Sequence, residues 1–332
     1  MLKNNKKGID MMKQLPKILV VGSLVMDLIV TTERFPDKGE TVLGTGFQTA
    51  SGGKGANQAV QAAKLGARVT MVGKTGEDDF GSAMVRSLKE SGVDTAHITR
   101  TDRASSAVGN VQVESNKEGN ANRIIVVSGA NMLIELDDIA FLKDGIGDYD
   151  MVLLQHEIPQ AINEQVVAFA ARAGVPVMLN TAPYAPVPRD YLAQLAFISP
   201  NEHEASQLSG IPVVDRDSGF QAAEALLKLG VGAVVITMGR QGAIFMNRDR
   251  RFHSPAVPGT RAVDPTAAGD SFVGAFCTAL CAGAEPDQAM TFANHTAAIT
   301  VSRMGAQPSL PEMKEVLKLM KEKGLDPGDW AQ

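Results

Sequence analysis

Apolar residues along the chain fall into short blocks that are separated by glycine and polar residues. From Met151 onward four such blocks, MVLLQ, PVMLN, FISP and AVVIT, alternate with stretches of helical spacing such as AINEQVVAFAARAG and GFQAAEALLKLG. Short, continuous apolar runs between helices are typical of parallel strands that are buried on both faces. The pattern therefore predicts an α/β fold with a mostly parallel central sheet and helices on both of its faces.

The first part of the chain has a different rhythm. The segments LIVTT (28–32) and ETVLGTGFQTA (40–50) alternate apolar and polar residues, as amphipathic strands do. Two further runs, VGNVQVE (108–114) and NRIIVVS (122–128), are joined by SNKEGNA, which is typical of a β-hairpin. Because these strand pairs interrupt the βα alternation, we expect them to form a small β-sheet lid over the main domain.

The division of the chain follows from these patterns. We expect one domain over residues 17–322, with the lid inserted at 25–50 and 105–128, and a tail at 323–332. Residues 1–16 are polar and basic and lack the apolar centre of a secretory signal, so we interpret them as a disordered leader. A chain of 332 residues can bury a large core without a metal or disulfide.

Composition excludes several classes of partner. The net charge is −5 and no long basic run is present, so we expect neither nucleic acid nor a membrane as a partner. No apolar run reaches the ~18 residues that a membrane-spanning helix needs. Cys277 and Cys281 lie four residues apart on a predicted helix, which favours packed thiols over a disulfide or a metal site. Free thiols are typical of a cytoplasmic protein.

The first glycine-rich element is SGGKGANQ, which begins at Ser51 and leads into a predicted helix. It is not a Walker loop, because Gly55 rather than Ser or Thr follows Lys54, and it lacks the dinucleotide-binding fingerprint. It offers bare backbone at a helix start, with Lys54 and Asn57 three residues apart on one face. Such a set of groups can hold a polyol. The alternative is a tight loop with a solvated lysine.

The second element is DPTAAGDSFVGAF (264–276). Three small residues, Ala267, Ala268 and Gly269, lead into a helix that we expect to begin near Asp270. Their amides would form an anion hole at the positive end of the helix dipole, suited to a phosphoryl group in transfer. Asp270 would accept the proton of an attacking hydroxyl. The alternative is that Asp270 caps its own helix.

Together, SGGKGANQ and DPTAAGDSFVGA resemble the two signature regions of the ribokinase family of carbohydrate kinases. The resemblance extends from Lys17 to Leu310 and implies a ribokinase-like three-layer α/β/α fold with a β lid. It also implies ATP, Mg²⁺ and an activating K⁺ as cofactors, and a homodimer joined through the lids.

The resemblance further assigns roles to individual residues. Asp270 would be the catalytic base. The sugar would be bound by Val25, Asp27, Gly53, Lys54, Asn57 and Glu157, together with Asp270. The nucleotide would be bound by Asn201, Thr237, Gly239, Gly242 and Asn294. Asn201 and Glu204, in PNEHE, would organise Mg²⁺ through water; from the residues alone, the same pair fits a helix start. The monovalent cation would be held by Asp264, Thr266, Thr300, Arg303, Gly305 and Ser309.

Three positions depart from the typical ribokinase pattern. Val25 stands where an asparagine usually precedes the sugar-binding aspartate by two residues. Valine cannot bond a hydroxyl, so we hypothesise that the preferred sugar lacks a hydroxyl at that point, or carries it differently, as 2-deoxyribose would. His156 replaces an apolar residue beside Glu157, and Pro265 stands where threonine is usual.

The expected function is ATP-dependent transfer of a phosphoryl group to the primary hydroxyl of a pentose, with ribose as the first choice. The alternatives within this class are 2-deoxyribose and other sugars or nucleosides. An alternative of another class is a non-catalytic sugar or nucleotide sensor on the same fold. An NAD-linked dehydrogenase is disfavoured because the dinucleotide fingerprint is missing.

Overall fold

The structure is a computed structural model that describes residues 15–116 and 119–331; most of the expected leader lies outside these ranges. The described residues form thirteen β-strands: β1 (Lys17–Val21), β2 (Val25–Thr32), β3 (Gly46–Gly52), β4 (Arg68–Gly76), β5 (Asp94–Thr101), β6 (Ala107–Asn116), β7 (Gly119–Val127), β8 (Met151–Leu154), β9 (Val177–Asn180), β10 (Phe197–Ser199), β11 (Ala233–Thr237), β12 (Ala243–Asn247) and β13 (Arg251–Ser254). They also form ten α-helices: α1 (Lys54–Lys64), α2 (Asp79–Glu90), α3 (Leu142–Gly145), α4 (Gln160–Ala173), α5 (Arg189–Leu192), α6 (Glu202–Ser209), α7 (Arg216–Leu227), α8 (Ala268–Cys281), α9 (Pro286–Val301) and α10 (Met313–Glu322).

Nine strands form one large sheet in the order β13-β12-β11-β10-β9-β8-β1-β4-β5. The pairs from β11 to β5 are parallel, and β12 and β13 close one edge in antiparallel register. This arrangement confirms the predicted mostly parallel sheet. The turns that follow β8, β9, β10 and β11 therefore meet at one edge, where ligand sites of open α/β sheets lie.

The central strands feed two cores, one on each face of the sheet. In β1, Ile18 and Val20 pack into one apolar cluster, whereas Leu19 and Val21 pack into the other. Side chains of a strand alternate between faces, so a strand that is buried on both sides must be apolar throughout. This explains the continuous apolar run KILVV and confirms the expected layers of helices around the sheet.

The second sheet has four strands in the order β3-β2-β6-β7 and is the predicted lid. Its β6–β7 pair is an antiparallel hairpin, as expected. Two details differ from the prediction. The strand expected over 40–50 begins only at Gly46, and β5, which the sequence analysis missed, pairs with β4 at the edge of the large sheet. The domain boundaries themselves stay a prediction.

Two further observations concern the predicted partners and thiols. None of the helices within the described ranges is long and apolar enough to cross a membrane. Cys277 is buried and Cys281 is partly exposed, and both are free thiols.

Candidate active site

Asp270 lies in the first turn of α8, three residues after a strained residue. Ala267 is the N-cap of this helix, and its φ of 58° is left-handed. This conformation costs an L-residue about 1–2 kcal/mol, so the surrounding structure must hold the turn in place. Because Ala267 occupies the cap position, the alternative that Asp270 caps its own helix is wrong, and its carboxylate is free for other partners.

The three amides of the predicted anion hole differ in their bonding. The amide of Ala268 donates to the carbonyl oxygen of Pro265 at 3.1 Å. The amides of Ala267 and Gly269 donate to no protein acceptor within residues 15–116 and 119–331. An anion in front of this turn would therefore find two unbonded amides at the positive end of the helix dipole.

Side-chain amides of α1 hold both carboxylate oxygens of Asp270. Nδ2 of Asn57 lies 2.9 Å from Oδ2, and Nε2 of Gln58 lies 3.1 Å from Oδ1. Burial raises the pKa of Asp270 above its usual value, whereas the charge of Lys54 and the two amide donors oppose this rise. These three residues of α1 thus stabilise the carboxylate form of Asp270, which is the form that a general base needs.

Lys54, the first residue of α1, lies among three carboxylates. Burial alone lowers the pKa of its ammonium group, but the charges of Asp270, Glu157 and Glu204 outweigh burial and raise that pKa. Lys54 therefore remains charged. It also lines a cleft together with Asp270, which excludes the alternative of a solvated surface lysine.

The glycine loop before α1 presses against the connection between β1 and β2. Gly53 has a φ of 92°, and a Cβ there would lie 2.8 Å from the amide nitrogen of Val25. Glu157, in the loop after β8, accepts a hydrogen bond from the amide of Lys54 at 3.0 Å and another from the hydroxyl of Ser23. Only glycine allows this close packing, which brings the start of the lid to the edge of the large sheet.

Asp27 projects from the lid and is enclosed by glycines of the neighbouring strands. A Cβ at Gly109 would lie 2.4 Å, and one at Gly52 2.8 Å, from its carboxylate oxygens. Burial first, and then the charge of Glu157, raise the pKa of Asp27 to about 6. Val25 lies two residues earlier on β2 and so faces the same side of the lid.

The side chain of Asn57 has one unused hydrogen-bond acceptor. Its Oδ1 is buried and has no hydrogen-bond partner among the described residues, while its Nδ2 bonds Asp270. A buried polar atom without a partner is costly in a folded protein, and a ligand hydroxyl next to Asp270 would satisfy it.

A cleft of about 910 Å³ opens in front of the turn before α8. It brings together residues that the sequence analysis assigned to different roles: Lys54, Asn201, Glu204, Thr237, Gly239, Gly242, Ala267, Ala268, Gly269, Asp270 and Asn294. The expected sugar-binding residues Val25, Asp27, Gly53, Asn57 and Glu157 lie outside its lining, toward the lid, and Asn57 and Asp270 connect the two groups. This volume is in the range of small-molecule sites.

Asn201 and Glu204 form the capping box of α6. Oδ1 of Asn201 accepts from the amide of Glu204 at 2.9 Å, and Nδ2 of Asn201 donates to Oε1 of Glu204 at 2.9 Å. Oε2 of Glu204 accepts from Thr181 at 3.0 Å and from the amide of Asn201. The alternative of a helix start is therefore correct as local structure, and the same two residues also face the cleft.

Besides Asn201, the expected nucleotide-binding residues come from the end of β11, the turn that follows it, and α9. Gly242 has a φ of 91°, and a Cβ there would lie 2.2 Å from the carbonyl oxygen of Ser254. Nδ2 of Asn294 donates to the carbonyl oxygens of Ser254 and Pro255. Asn294 thus fixes the loop after β13, which supplies much of the cleft wall.

The expected cation-binding residues divide into two groups. Asp264 gathers the first group, because its Oδ1 accepts from Thr266 and its Oδ2 accepts from the amide of Gly305 at 2.8 Å. Arg303 instead pairs with Glu315. The hydroxyls of the other two members bond backbone oxygens within their own segments: Thr300 and Ser309. No cluster of three or more metal-binding His, Cys, Asp or Glu side chains occurs in the described part of the chain.

Three contributions to the site escaped the sequence analysis. Gln58, Thr181 and the loop of residues 256–263 contact or line it. Gln58 follows Asn57 inside SGGKGANQ, so its place in the same predicted helix was the signal that could have identified it. Nδ1 of His156, the residue that replaces an apolar one beside Glu157, lies 3.2 Å from the carbonyl oxygen of Pro183. Its Nε2 is buried and has no hydrogen-bond partner among the described residues.

Comparisons with known proteins agree with this geometry. The model of the pfkB family carbohydrate kinases matches residues 15–313. A ribokinase of Bacillus subtilis is 39% identical over 303 residues, which cover 91% of this chain and 99% of that protein. A deoxyribokinase of Salmonella typhimurium is 34% identical over 299 residues, which cover 90% of this chain and 96% of that protein.

The fold is similar to that of a solved ribokinase. The structure of Arabidopsis thaliana ribokinase complexed with ribose and ATP has a TM-score of 0.84 and 35% sequence identity, and the match covers 93% of this chain and 99% of that chain.

Proposed function

The chain belongs to the pfkB family of carbohydrate kinases, and on this premise we propose that it transfers the γ-phosphoryl group of ATP to the primary hydroxyl of ribose. One observation carries the proposal: Asp270, Lys54 and the unbonded amides of the turn before α8 share one cleft with the expected nucleotide-binding residues. A base, a cation and an anion hole are the parts that in-line phosphoryl transfer needs.

The sugar binds between the lid and the edge of the large sheet. Asp27 and Asn57 hold its hydroxyls, and the free Oδ1 of Asn57 accepts a hydrogen bond from one of them. Gly53 and Glu157 complete this side of the site. Asp270 takes the proton of the attacking hydroxyl, and the amides of Ala267 and Gly269 stabilise the charge of the transferring group.

ATP binds along the cleft. Thr237, Gly239 and Gly242 contact its phosphates, and Asn294 lies beside the adenine. Asn201 and Glu204 would hold Mg²⁺ through water. Both oxygens of Glu204 already accept hydrogen bonds from the protein, and contact through water would preserve these bonds. Mg²⁺ would offset charge on the phosphates.

A monovalent cation of the K⁺ type would bind beside the turn that precedes α8. Asp264, Thr266 and Gly305 already converge. Backbone oxygens near Thr300, Arg303 and Ser309 complete the expected set. Pro265 lies inside this loop and fixes one φ.

Deoxyribose is the second candidate sugar, and Val25 favours it. Val25 is buried and shares the lid face with Asp27. A side chain without a hydrogen-bonding group discriminates weakly against a sugar that lacks one hydroxyl.

Two further proposals concern the assembly and the location. The edge strand β7 exposes Ile124, Ile125, Val126 and Val127, and such an apolar edge favours pairing of two lids in a homodimer. The free thiols Cys277 and Cys281 support a cytoplasmic location.

The test is release of ADP over a panel of sugars, with and without K⁺. We expect turnover on ribose or deoxyribose that needs Mg²⁺ and rises with K⁺. Binding of sugar and ATP without any release of ADP would instead favour the non-catalytic sensor.

A further inference from the structure

A chain of buried side-chain amides reaches Asp270 from the large sheet. Nε2 of Gln155, after β8, lies 2.7 Å from Oε1 of Gln58. Nε2 of Gln58 then lies 3.1 Å from Oδ1 of Asp270 and 3.5 Å from Oδ1 of Asn180, at the end of β9. The expected base is thus linked through Gln58 to the rigid ends of two parallel strands.

The hydrogen bonds along this row of side-chain amides have a fixed donor-to-acceptor direction. If the amide of Gln58 were reversed, its oxygen would face the carboxylate of Asp270 and its nitrogen would face the nitrogen of Gln155. Both contacts would be repulsive. Gln58 therefore presents donors to Asp270 and an acceptor to Gln155.

The side-chain amides of Gln58 and Gln155 are also held rigidly. Gln58 and Gln155 are both fully buried. The side-chain oxygen of Gln155 packs against Gly22, where a Cβ would lie only 2.1 Å from it. Nδ2 of Asn163, on α4, donates to the backbone oxygen of Gln155 at 2.8 Å. Packing and hydrogen bonds thus leave Gln58 one orientation.

We propose that Gln58 is a positioning residue, which aims the carboxylate of Asp270 at the attacking hydroxyl, with Gln155 as its support. This inference rests on the proposed function, in which Asp270 is the base. Asn57 holds the other carboxylate oxygen, but it belongs to the sugar side and has its own free acceptor. Gln58 is fully buried, and of the two amides that hold Asp270 it is the one tied to the ends of the large sheet.

The same contact affects the ionisation of Asp270. The donor of Gln58 lowers the pKa of this carboxyl group against the larger effect of burial. The charged groups that face Asp270 are Lys54 from α1 and Glu157 from the loop after β8; Glu204 from α6 acts on Lys54. None of these is altered when Gln58 is replaced by a neutral residue of similar length.

The test compares Gln58→Met with Gln61→Met. Gln61 is also fully buried on α1, but its Nε2 bonds the carbonyl oxygen of Pro311 rather than Asp270. We expect Gln58→Met to lower kcat about tenfold and to move the acidic limb of its pH profile upward by about one unit, because the anionic base loses a donor. KM for the sugar should change less than kcat, and Gln61→Met should keep the wild-type profile.

The outcomes separate this inference from the proposed function. Asp270→Asn is measured in parallel, and a nearly active Asp270→Asn enzyme would refute the base itself. If Asp270→Asn is inactive but Gln58→Met and Gln61→Met share the wild-type profile, the positioning role is refuted alone. If Gln58→Met does not fold, Gln155→Met replaces it, with a smaller shift in the same direction expected; an unshifted profile then overturns the inference.

Discussion

The side-chain nitrogen of Asn57 lies 2.9 Å from a carboxylate oxygen of Asp270, and this contact joins the sugar side of the site to the phosphate side. Asn57 comes from α1, which follows the lid strand β3, and Asp270 comes from the helix that follows the anion-hole turn. The two signature regions of the sequence are therefore parts of one site.

Replacement of Asp270 tests the base. We expect Asp270→Asn to lower kcat by at least about 10³, because the variant cannot accept the proton of the hydroxyl, while the sugar still binds. Steady-state release of ADP and calorimetric binding of the sugar measure the two effects. A loss of less than tenfold would remove Asp270 from this role.

Replacement of Val25 tests the choice of sugar. We expect Val25→Asn to shift the ratio of kcat/KM values toward ribose over deoxyribose, by about tenfold or more, because an amide can bond the additional hydroxyl. Val25→Leu is the matched control, since leucine has nearly the shape of asparagine and no polar group. If both variants give the wild-type ratio, position 25 does not read the sugar.

Asp27 should make stability depend on pH. Its pKa is raised to about 6 in the folded protein, above the usual value of 3.8, so the folded state holds a proton that the unfolded state has already released. Stability therefore falls as pH rises from about 4 to 6 and stays lower above that range. We expect Asp27→Asn to be more stable than wild type by about 1–2 kcal/mol at pH 7.5, but not at pH 4.

Urea denaturation at the two pH values measures this difference. The exposed Asp249 supplies the control, and Asp249→Asn should follow the wild-type dependence. An Asp27→Asn protein that is destabilised at pH 7.5 would contradict the expected sign.

The lid should mediate a dimer. Ile125 and Val127 lie on one face of β7, and Ile124 and Val126 lie on the face shared with Asp27. We expect the wild type to be a dimer by light scattering. Two double variants test the faces, each with both of its residues replaced by lysine: Ile125→Lys with Val127→Lys, and Ile124→Lys with Val126→Lys. One of these Lys pairs should give a monomer, because charge cannot be buried between apolar strands.

The matched control is Val214→Lys, which changes an exposed apolar residue outside the lid. It should remain a dimer. A monomeric wild type, or dimers from both Lys pairs, would rule out the lid as the interface.

The sequence predicted the sheet and the lid because burial leaves a direct pattern. Parallel strands such as β8 are apolar on both faces, and lid strands alternate. The edge strand β5 (DTAHITRT) was missed, since a mostly polar strand lacks that pattern and is fixed by its neighbour β4.

The site was predictable where a residue type has an unusual position. Glycines and a buried acid mark such positions, as Gly53 and Asp270 do. Gln58 carried no such mark, because a glutamine in a helix is ordinary until the partner across the fold is known. The bond between Ala268 and Pro265 was likewise invisible, since it depends on the left-handed turn at Ala267.

The contact between Asn57 and Asp270 spans 213 positions of the chain. During synthesis the ribosome delivers the lid and α1 long before α8, so the nascent protein cannot assemble its phosphate-transferring centre until α8, at residues 268–281 of 332, has emerged. A prematurely terminated product that retains the lid and lacks α8 would still expose the edge of β7, and it would be a candidate for aggregation rather than a weak kinase.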